Sequence, residues 1–232
     1  RIHPPLGAIA TLSEVRQQGF EASLLDAAAE GLLKGIRNPS YNPVETVDLD
    51  GIRYWKTGLS NPEIIDELQR LRPDVIGLSC CTVVDRGELS SLSRAIKFAF
   101  PAIPIILGGH EATHWYREIL GDTAYQIESA PDIDYVVIGP SQPVIANLLD
   151  YLAGRSDEVP NGVAFRNGNS IVQTGTATFE PDAFSSLDFG LFPQIKIAGR
   201  DKPLDIYSYV GNPHAGRIGT LLGVLDRPVS YL

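Results

Sequence analysis

Short apolar runs alternate with amphipathic stretches from Glu21 to about Leu152, a pattern typical of βαβ units built around a parallel sheet. The runs are apolar at consecutive positions, as expected of strands that helices cover on both faces. Because a helix comes first, the pattern lacks the opening strand of such a sheet. It predicts strands at Ala22 to Leu25, Val75 to Leu78, Ile103 to Leu107 and Tyr135 to Ile138, and helices at Ala8 to Gln18, Pro62 to Leu71, Leu89 to Phe100, Ala112 to Leu120 and Val144 to Leu152.

Two β-hairpins are predicted as insertions into this core. The first runs through Val44 to Leu49, turns at Asp50-Gly51 and returns through Ile52 to Lys56, since Asp-Gly supplies the positive φ angles of a type I′ turn. The second pairs Val163 to Arg166 with Ile171 to Gln173 across an Asn-Gly-Asn turn.

The C-terminal part of the chain loses this periodicity. Beyond Phe179 the sequence carries many Gly and Pro residues without a sustained period, which indicates an extended connector rather than a second core. We therefore expect one α/β domain over residues 1–178 and a connector over residues 179–232.

Composition narrows the classes of partner and the compartment. The 232 residues are 44% hydrophobic and 20% charged, and the formal net charge is −9, which argues against nucleic-acid or anionic-membrane binding because phosphate-neutralising surfaces need clustered Lys and Arg. No apolar run approaches the ~20 residues of a membrane span, and no signal-peptide pattern opens the sequence. The expected compartment is the cytoplasm. Cys80 and Cys81 are neighbours, which predicts reduced thiols rather than a disulfide, zinc or iron–sulfur site.

Small and hydroxyl residues follow each predicted strand. In an open parallel sheet, ligands bind beyond the carboxyl ends of the strands, where helix N-termini offer unpaired N–H groups. Small residues there let a bulky ligand approach the backbone, so together these positions predict a ligand-binding rim. They are Asp26 to Gly31, Ser79-Cys80-Cys81-Thr82, Gly108-Gly109-His110 and Gly139-Pro140-Ser141.

The ordered series of these motifs resembles the cobalamin-binding domain at the N-terminus of B12-dependent radical SAM enzymes. The resemblance covers roughly Pro4 to Gln173, most of the chain. The segments that carry it are Pro4-Pro5-Leu6-Gly7, Leu24-Leu25-Asp26, Arg72-Pro73-Asp74-Val75-Ile76-Gly77-Leu78-Ser79, Ile106-Leu107-Gly108-Gly109-His110-Glu111-Ala112-Thr113, Asp134-Tyr135-Val136-Val137-Ile138-Gly139 and Val159-Pro160-Asn161-Gly162-Val163-Ala164.

The resemblance implies a doubly wound, mostly parallel α/β sheet like that of flavodoxin, with hairpin insertions and the connector. It further implies that the corrin ring lies over the strand ends while the nucleotide tail enters beside the sheet. Hydroxyls of Ser79 and Thr82 would line the tail channel, and Gly108 and Gly109 would allow close backbone contact. The full set of implied cofactor-binding residues is Ser79, Cys81, Thr82, Val83, Gly108, Gly109, His110, Gly139 and Pro140.

Two departures from related sequences bear on the site. Many B12-binding folds carry D-x-H-x-x-G, whose His replaces the tail base below cobalt, whereas this chain has Ala28 at the His position of Asp26 to Gly31. The family often has Gly-Glu-Gly-Glu after the last strand, whereas this chain has Gly139-Pro140-Ser141-Gln142.

The resemblance implies a role within a larger enzyme. The chain lacks the C-x-x-x-C-x-x-C motif that would hold a [4Fe–4S] cluster for cleavage of S-adenosylmethionine. We therefore expect a non-catalytic part that binds cobalamin and presents it to a radical SAM domain, in cis or in a partner protein, for methyl transfer or a related reaction. The end of the sequence, Arg227 to Leu232, resembles the lead-in to that motif. The alternative is a stand-alone corrinoid carrier or sensor.

A third hypothesis is a zinc hydrolase. His110-Glu111-Ala112-Thr113-His114 is a literal H-E-x-x-H, which could place two imidazoles around zinc with the glutamate as general base. Yet it follows a predicted buried strand and a Gly-Gly pair, and its extension toward a third His fails. Glu118 and Glu128 are the remaining candidates for a third ligand, and we favour a rim role for His110.

Overall fold

The computed structural model of the chain describes residues 5–49, 52–81, 86–121, 130–177 and 187–191. None of the helices in these ranges combines the length and the apolar character needed to cross a bilayer. The helices are α1 (Leu6–Gln17), α2 (Ala27–Arg37), α3 (Asn61–Leu71), α4 (Arg86–Ala99), α5 (His110–Ile119) and α6 (Gln142–Leu152). The strands are β1 (Val44–Leu49), β2 (Ile52–Thr57), β3 (Ile76–Ser79), β4 (Ile105–Gly108), β5 (Tyr135–Val137), β6 (Val163–Asn167) and β7 (Ser170–Gln173).

Five strands form the main sheet in the order β3-β4-β5-β6-β7. The first three are parallel, whereas β6 runs antiparallel to β5 and β7 antiparallel to β6. The second predicted hairpin therefore extends the sheet instead of decorating it. The first predicted hairpin forms a separate two-stranded sheet, with Val44 opposite Thr57; its Asp-Gly turn lies outside the described residues.

Alternate residues of the central strands enter two different cores. On β4, Ile105 and Leu107 pack with α3, α4 and α5, whereas Ile106 packs with α1 and α6. On β5, Val136 and Val137 divide in the same way, as successive side chains of a strand must. Helices thus cover both faces of the sheet, and the predicted doubly wound α/β fold is confirmed.

The strand predicted at Ala22 to Leu25 was wrong. A strand needs a ladder partner, and among the described strands β3 pairs only with β4, so this segment does not join the sheet. Its backbone is held instead by a side chain, because Nε and Nη2 of Arg16 donate to the Ala22 carbonyl oxygen at 3.0 and 2.7 Å. The main sheet therefore begins at β3.

Helix α2 was not predicted, although it starts directly after this segment. Two glycines weaken its helical pattern, but one of them is required by packing. A Cβ at Gly31 would lie 2.3 Å from the carbonyl carbon of Gly58, so α2 can reach the chain after β2 only with a glycine there. Close helix–backbone packing here outweighs local helix propensity.

The N-terminus of α3 is fixed by one carboxylate. Glu63 accepts hydrogen bonds from the Ser60 N–H and hydroxyl, both at 2.8 Å, and from the Tyr41 hydroxyl at 3.0 Å, and it pairs with Lys34. Burial pushes the pKa of Glu63 upward, but these donors outweigh it, so the pKa falls from 4.5 to about 2. The carboxylate joins α2, α3 and the loop before β1.

We expect Glu63→Gln to lower the free energy of unfolding at pH 7 by about 1 kcal/mol, because the capping box and its cation lose a charged acceptor. A depressed native pKa stabilises the fold above the unfolded value, so the difference from wild type should disappear as the pH falls from 4.5 toward 2. Urea unfolding across that pH range measures it. Glu67→Gln, which removes an exposed pair with Arg70 on the same helix, is the control; an equal effect of that variant would contradict the assignment.

Candidate functional site

The carboxyl ends of β3 and β4 bring two of the predicted segments together. Ser79 is the register partner of Gly108, and the Cys80 N–H donates to the Gly108 carbonyl oxygen at 3.0 Å. The Ser79 and Cys81 side chains are exposed, with Oγ and Sγ 3.8 Å apart, whereas Cys80 is buried in the core. The two segments therefore present a hydroxyl and a thiol at one edge of the sheet.

The Gly108-Gly109-His110 turn packs closely against the backbone of Cys80. Gly109 has φ +111° and ψ 179°, and a Cβ there would lie 2.3 Å from the Cys80 carbonyl oxygen. The same oxygen accepts the N–H of Glu111 at 3.2 Å. Only glycine permits this conformation and this approach, so the first turn of α5 is seated directly against the end of β3.

Gly108 differs from its neighbour, because within the described part of the chain no atom beyond its two chain neighbours lies within 4 Å of a Cβ built on it. Its backbone is half-buried, and the exposed His110 follows two residues later. The described residues therefore leave the space beside Gly108 unfilled at the end of β4.

Thr113 connects this turn to the loop after β5. Its hydroxyl donates to the Gly109 carbonyl oxygen at 3.0 Å and accepts the Gly139 N–H at 3.0 Å. Gly139 and Pro140 are half-buried beside it. Thr113 was not among the predicted site residues, although a threonine one turn after a helix start can bond back to the backbone. It holds the β4 and β5 loops together.

The loop after β5 is also joined to the N-terminal helix. Ser141 precedes α6, and its hydroxyl contacts the hydroxyl of Thr11 on α1. The structure thus brings Ser79, Cys81, Gly108, Gly109, His110, Gly139 and Pro140 to one edge, which we call the rim. Thr82 and Val83 lie outside the described residues.

The Asp26 to Gly31 segment forms the start of α2 rather than an open loop. Asp26 is the N-cap, and its Oδ1 accepts the Ala29 N–H at 2.8 Å. Burial raises the pKa of Asp26 against these backbone hydrogen bonds. Position 28 is an exposed residue of the first turn. Because it is an alanine, it offers no imidazole to a metal.

The geometry of the H-E-x-x-H segment opposes a zinc hydrolase. Its glutamate, Glu111, is 8% exposed and ion-paired with Arg86 at 2.6 Å, so it is not available as a general base. Nδ1 of His114 lies 2.9 Å from the His110 carbonyl oxygen. No group of three or more His, Cys, Asp or Glu side chains suits a metal ion among the described residues, and Glu128 is not one of them.

The B12 binding domain family matches residues 1–149, more than half of the chain. The chain is 25% identical over 170 residues to cytidylyl-2-hydroxyethylphosphonate methyltransferase of Streptomyces wedmorensis, which covers 73% of this chain and 28% of that protein. It is 29% identical over 127 residues to anaerobic magnesium-protoporphyrin IX monomethyl ester cyclase of Cereibacter sphaeroides, covering 51% and 19%. The chain therefore spans less than a third of either relative.

The contrast between the two rim glycines can be tested by stability alone. We expect Gly109→Ala to lower the free energy of unfolding by about 2 kcal/mol, because the new Cβ meets the Cys80 carbonyl in a strained conformation. Gly108→Ala should change it by no more than about 0.5 kcal/mol, since its Cβ meets none of the described residues. Urea denaturation of the two variants checks this, and equal losses would contradict the described turn.

Proposed function

This chain belongs to the B12-binding domain family, and from that premise we propose that it binds cobalamin at the rim and presents it to a radical SAM catalytic domain for methyl transfer or a related radical reaction. The observation that carries the proposal is the space at Gly108, the last residue of the parallel strand β4, which none of the described residues fills. Ligands of open α/β sheets bind at such ends.

The residues of the rim fit a large, partly polar cofactor. A corrin ring needs a broad surface without bulky side chains, and Gly108 and Gly139 supply backbone where side chains would intrude. A nucleotide tail needs hydrogen-bond partners where it leaves water. The exposed Ser79 hydroxyl and Cys81 thiol are suitable partners for it. We propose Thr82 and Val83 as further contacts.

Each rim residue has a distinct task in this proposal. Gly108 gives the tail access to the main chain, Gly109 keeps the α5 turn against β3, and His110 borders the corrin. Gly139 and Pro140 form the wall opposite Ser79. Cobalamin supplies the cobalt chemistry of methyl transfer when it is bound. The chain orients the cofactor and shields it from water on the sheet side.

The wider enzyme is part of the same proposal. The relatives are named as a methyltransferase and a cyclase, which supports a parent protein that uses bound cobalamin for reactions of that kind. We propose that the parent also holds a [4Fe–4S] cluster and S-adenosylmethionine. The three-cysteine motif that would hold the cluster is not in this sequence, so those two cofactors belong to the partner domain.

We expect the purified chain to retain hydroxocobalamin after incubation and desalting, at about one cofactor per chain, because the rim forms one site. The absorbance bands of the corrin report the retained amount. A colourless chain that is folded by circular dichroism would overturn the proposal.

The position of the cofactor is tested by filling the space at Gly108. We expect Gly108→Leu to abolish retention of hydroxocobalamin while the melting temperature stays close to that of wild type, because a Cβ at this position meets none of the described residues. Ser170→Leu is the matched control, since it places the same side chain on an exposed position of β7 beside the turn at the opposite end of the sheet. Undiminished retention by Gly108→Leu would place the cofactor elsewhere.

A further inference from the structure

A buried ion pair joins the first turns of two helices directly behind the rim. Arg86 is the first residue of α4, and its Nε and Nη2 donate to Oε2 of Glu111, the second residue of α5, at 2.9 and 2.6 Å. The two side chains are 7% and 10% exposed. Both charges have left water, so each depends on the other for compensation.

Trp115 on α5 contacts the guanidinium of this pair. Its ring centroid lies 4.9 Å from Cζ of Arg86, within the range of a cation–π contact. Trp115 also departs from helical geometry inside α5, with φ −125° and ψ 26°. The helix therefore bends at the residue that contacts the guanidinium, one turn after Glu111. The guanidinium of Arg86 is therefore held by the Glu111 carboxylate and by the Trp115 ring.

The pair is attached to the rim through the backbone of Glu111. The Glu111 N–H donates to the Cys80 carbonyl oxygen at 3.2 Å, and the rim residue His110 immediately precedes it. On the other side, Arg86 is the residue at which α4 begins, shortly after the proposed contact Thr82 in the sequence. One side-chain interaction thus fixes the start of α4 relative to the turn that carries Gly109 and His110.

If this contact only held the two helices together, apolar side chains would suffice. Buried ion pairs are often no more stabilising than apolar side chains of similar volume, whereas two hydrogen bonds to one carboxylate oxygen define distance and direction. We propose that the Arg86–Glu111 pair is a positioning device that holds the first turns of α4 and α5 in the arrangement that binds cobalamin. This inference rests on the proposed function. It predicts that stability and cofactor affinity can be separated.

The test replaces the pair by apolar side chains of similar size. Glu111→Leu alone leaves the Arg86 charge buried and should lower the melting temperature by roughly 10 °C. The double variant Arg86→Met/Glu111→Leu should recover a melting temperature within about 3 °C of wild type. Its dissociation constant for hydroxocobalamin, from absorbance titration, should nevertheless be raised by about tenfold or more, because the rim is no longer pre-organised.

The same exchange on a surface pair is the control. Arg155 and Asp150 form an exposed ion pair near the end of α6, with Nε and Oδ1 at 2.6 Å, and Arg155→Met/Asp150→Leu should leave the dissociation constant unchanged. A buried double variant that recovers both melting temperature and affinity would overturn the inference while the proposed function stands. Wild-type chain that retains no cobalamin would overturn both.

Arg86→Lys gives a second measurement that does not depend on the double variant folding. Lysine keeps the charge but cannot donate from two positions of a rigid planar group, so the chain should fold while its affinity for hydroxocobalamin falls several-fold. Unchanged affinity in this variant would overturn the positioning role, because charge compensation alone would then suffice.

Discussion

The arrangement of the rim depends on contacts with the Cys80 carbonyl oxygen. Gly109 approaches it more closely than any residue with a Cβ could, and the Glu111 N–H donates to it. This contact seats the first turn of α5 against the end of β3, and the side chains of that turn then reach outward: Glu111 to α4, and Thr113 to the loop after β5. The positions of α4, α5 and the loop after β5 thus depend on this one contact. A substitution that disturbs it would displace all three.

The two-sided core leaves the strand ends as the accessible part of the parallel strands. Because Ile105 and Leu107 enter one core and Ile106 the other, neither face of β4 is available to a ligand. The apolar pattern stops at Gly108, where the strand leaves the core and the backbone becomes accessible. Burial on both faces therefore leaves the end of the strand and the loop after it as the places where a ligand can reach the main chain of β4.

Sequence patterns predicted the buried elements better than the contacts between them. The runs around Ile105 and Val136 predicted strands of the main sheet because consecutive apolar residues have few other uses. The segment at Ala22 has the same character, but a strand also needs a partner, which local pattern does not reveal. Helix α2 was missed because Gly31 lowers helix propensity while satisfying a contact with Gly58. The segments after β3, β4 and β5 lie at one edge of the sheet, as the pattern predicted, and their role in binding a ligand stays a prediction. The part played by Thr113 could not be predicted, because it depends on a hydrogen bond between residues 26 positions apart.

Glu111 shows how one sequence pattern can support two chemistries that the fold distinguishes. Between two histidines it has the spacing of a zinc-site general base, a role that needs an accessible carboxylate. In the folded chain the same carboxylate is buried against Arg86, 25 residues away in sequence. A charge so placed is held by its partner, and transferring it to a catalytic role would leave Arg86 uncompensated inside the protein. The cost of that unpaired charge, rather than the spacing of the motif, decides what this glutamate can do.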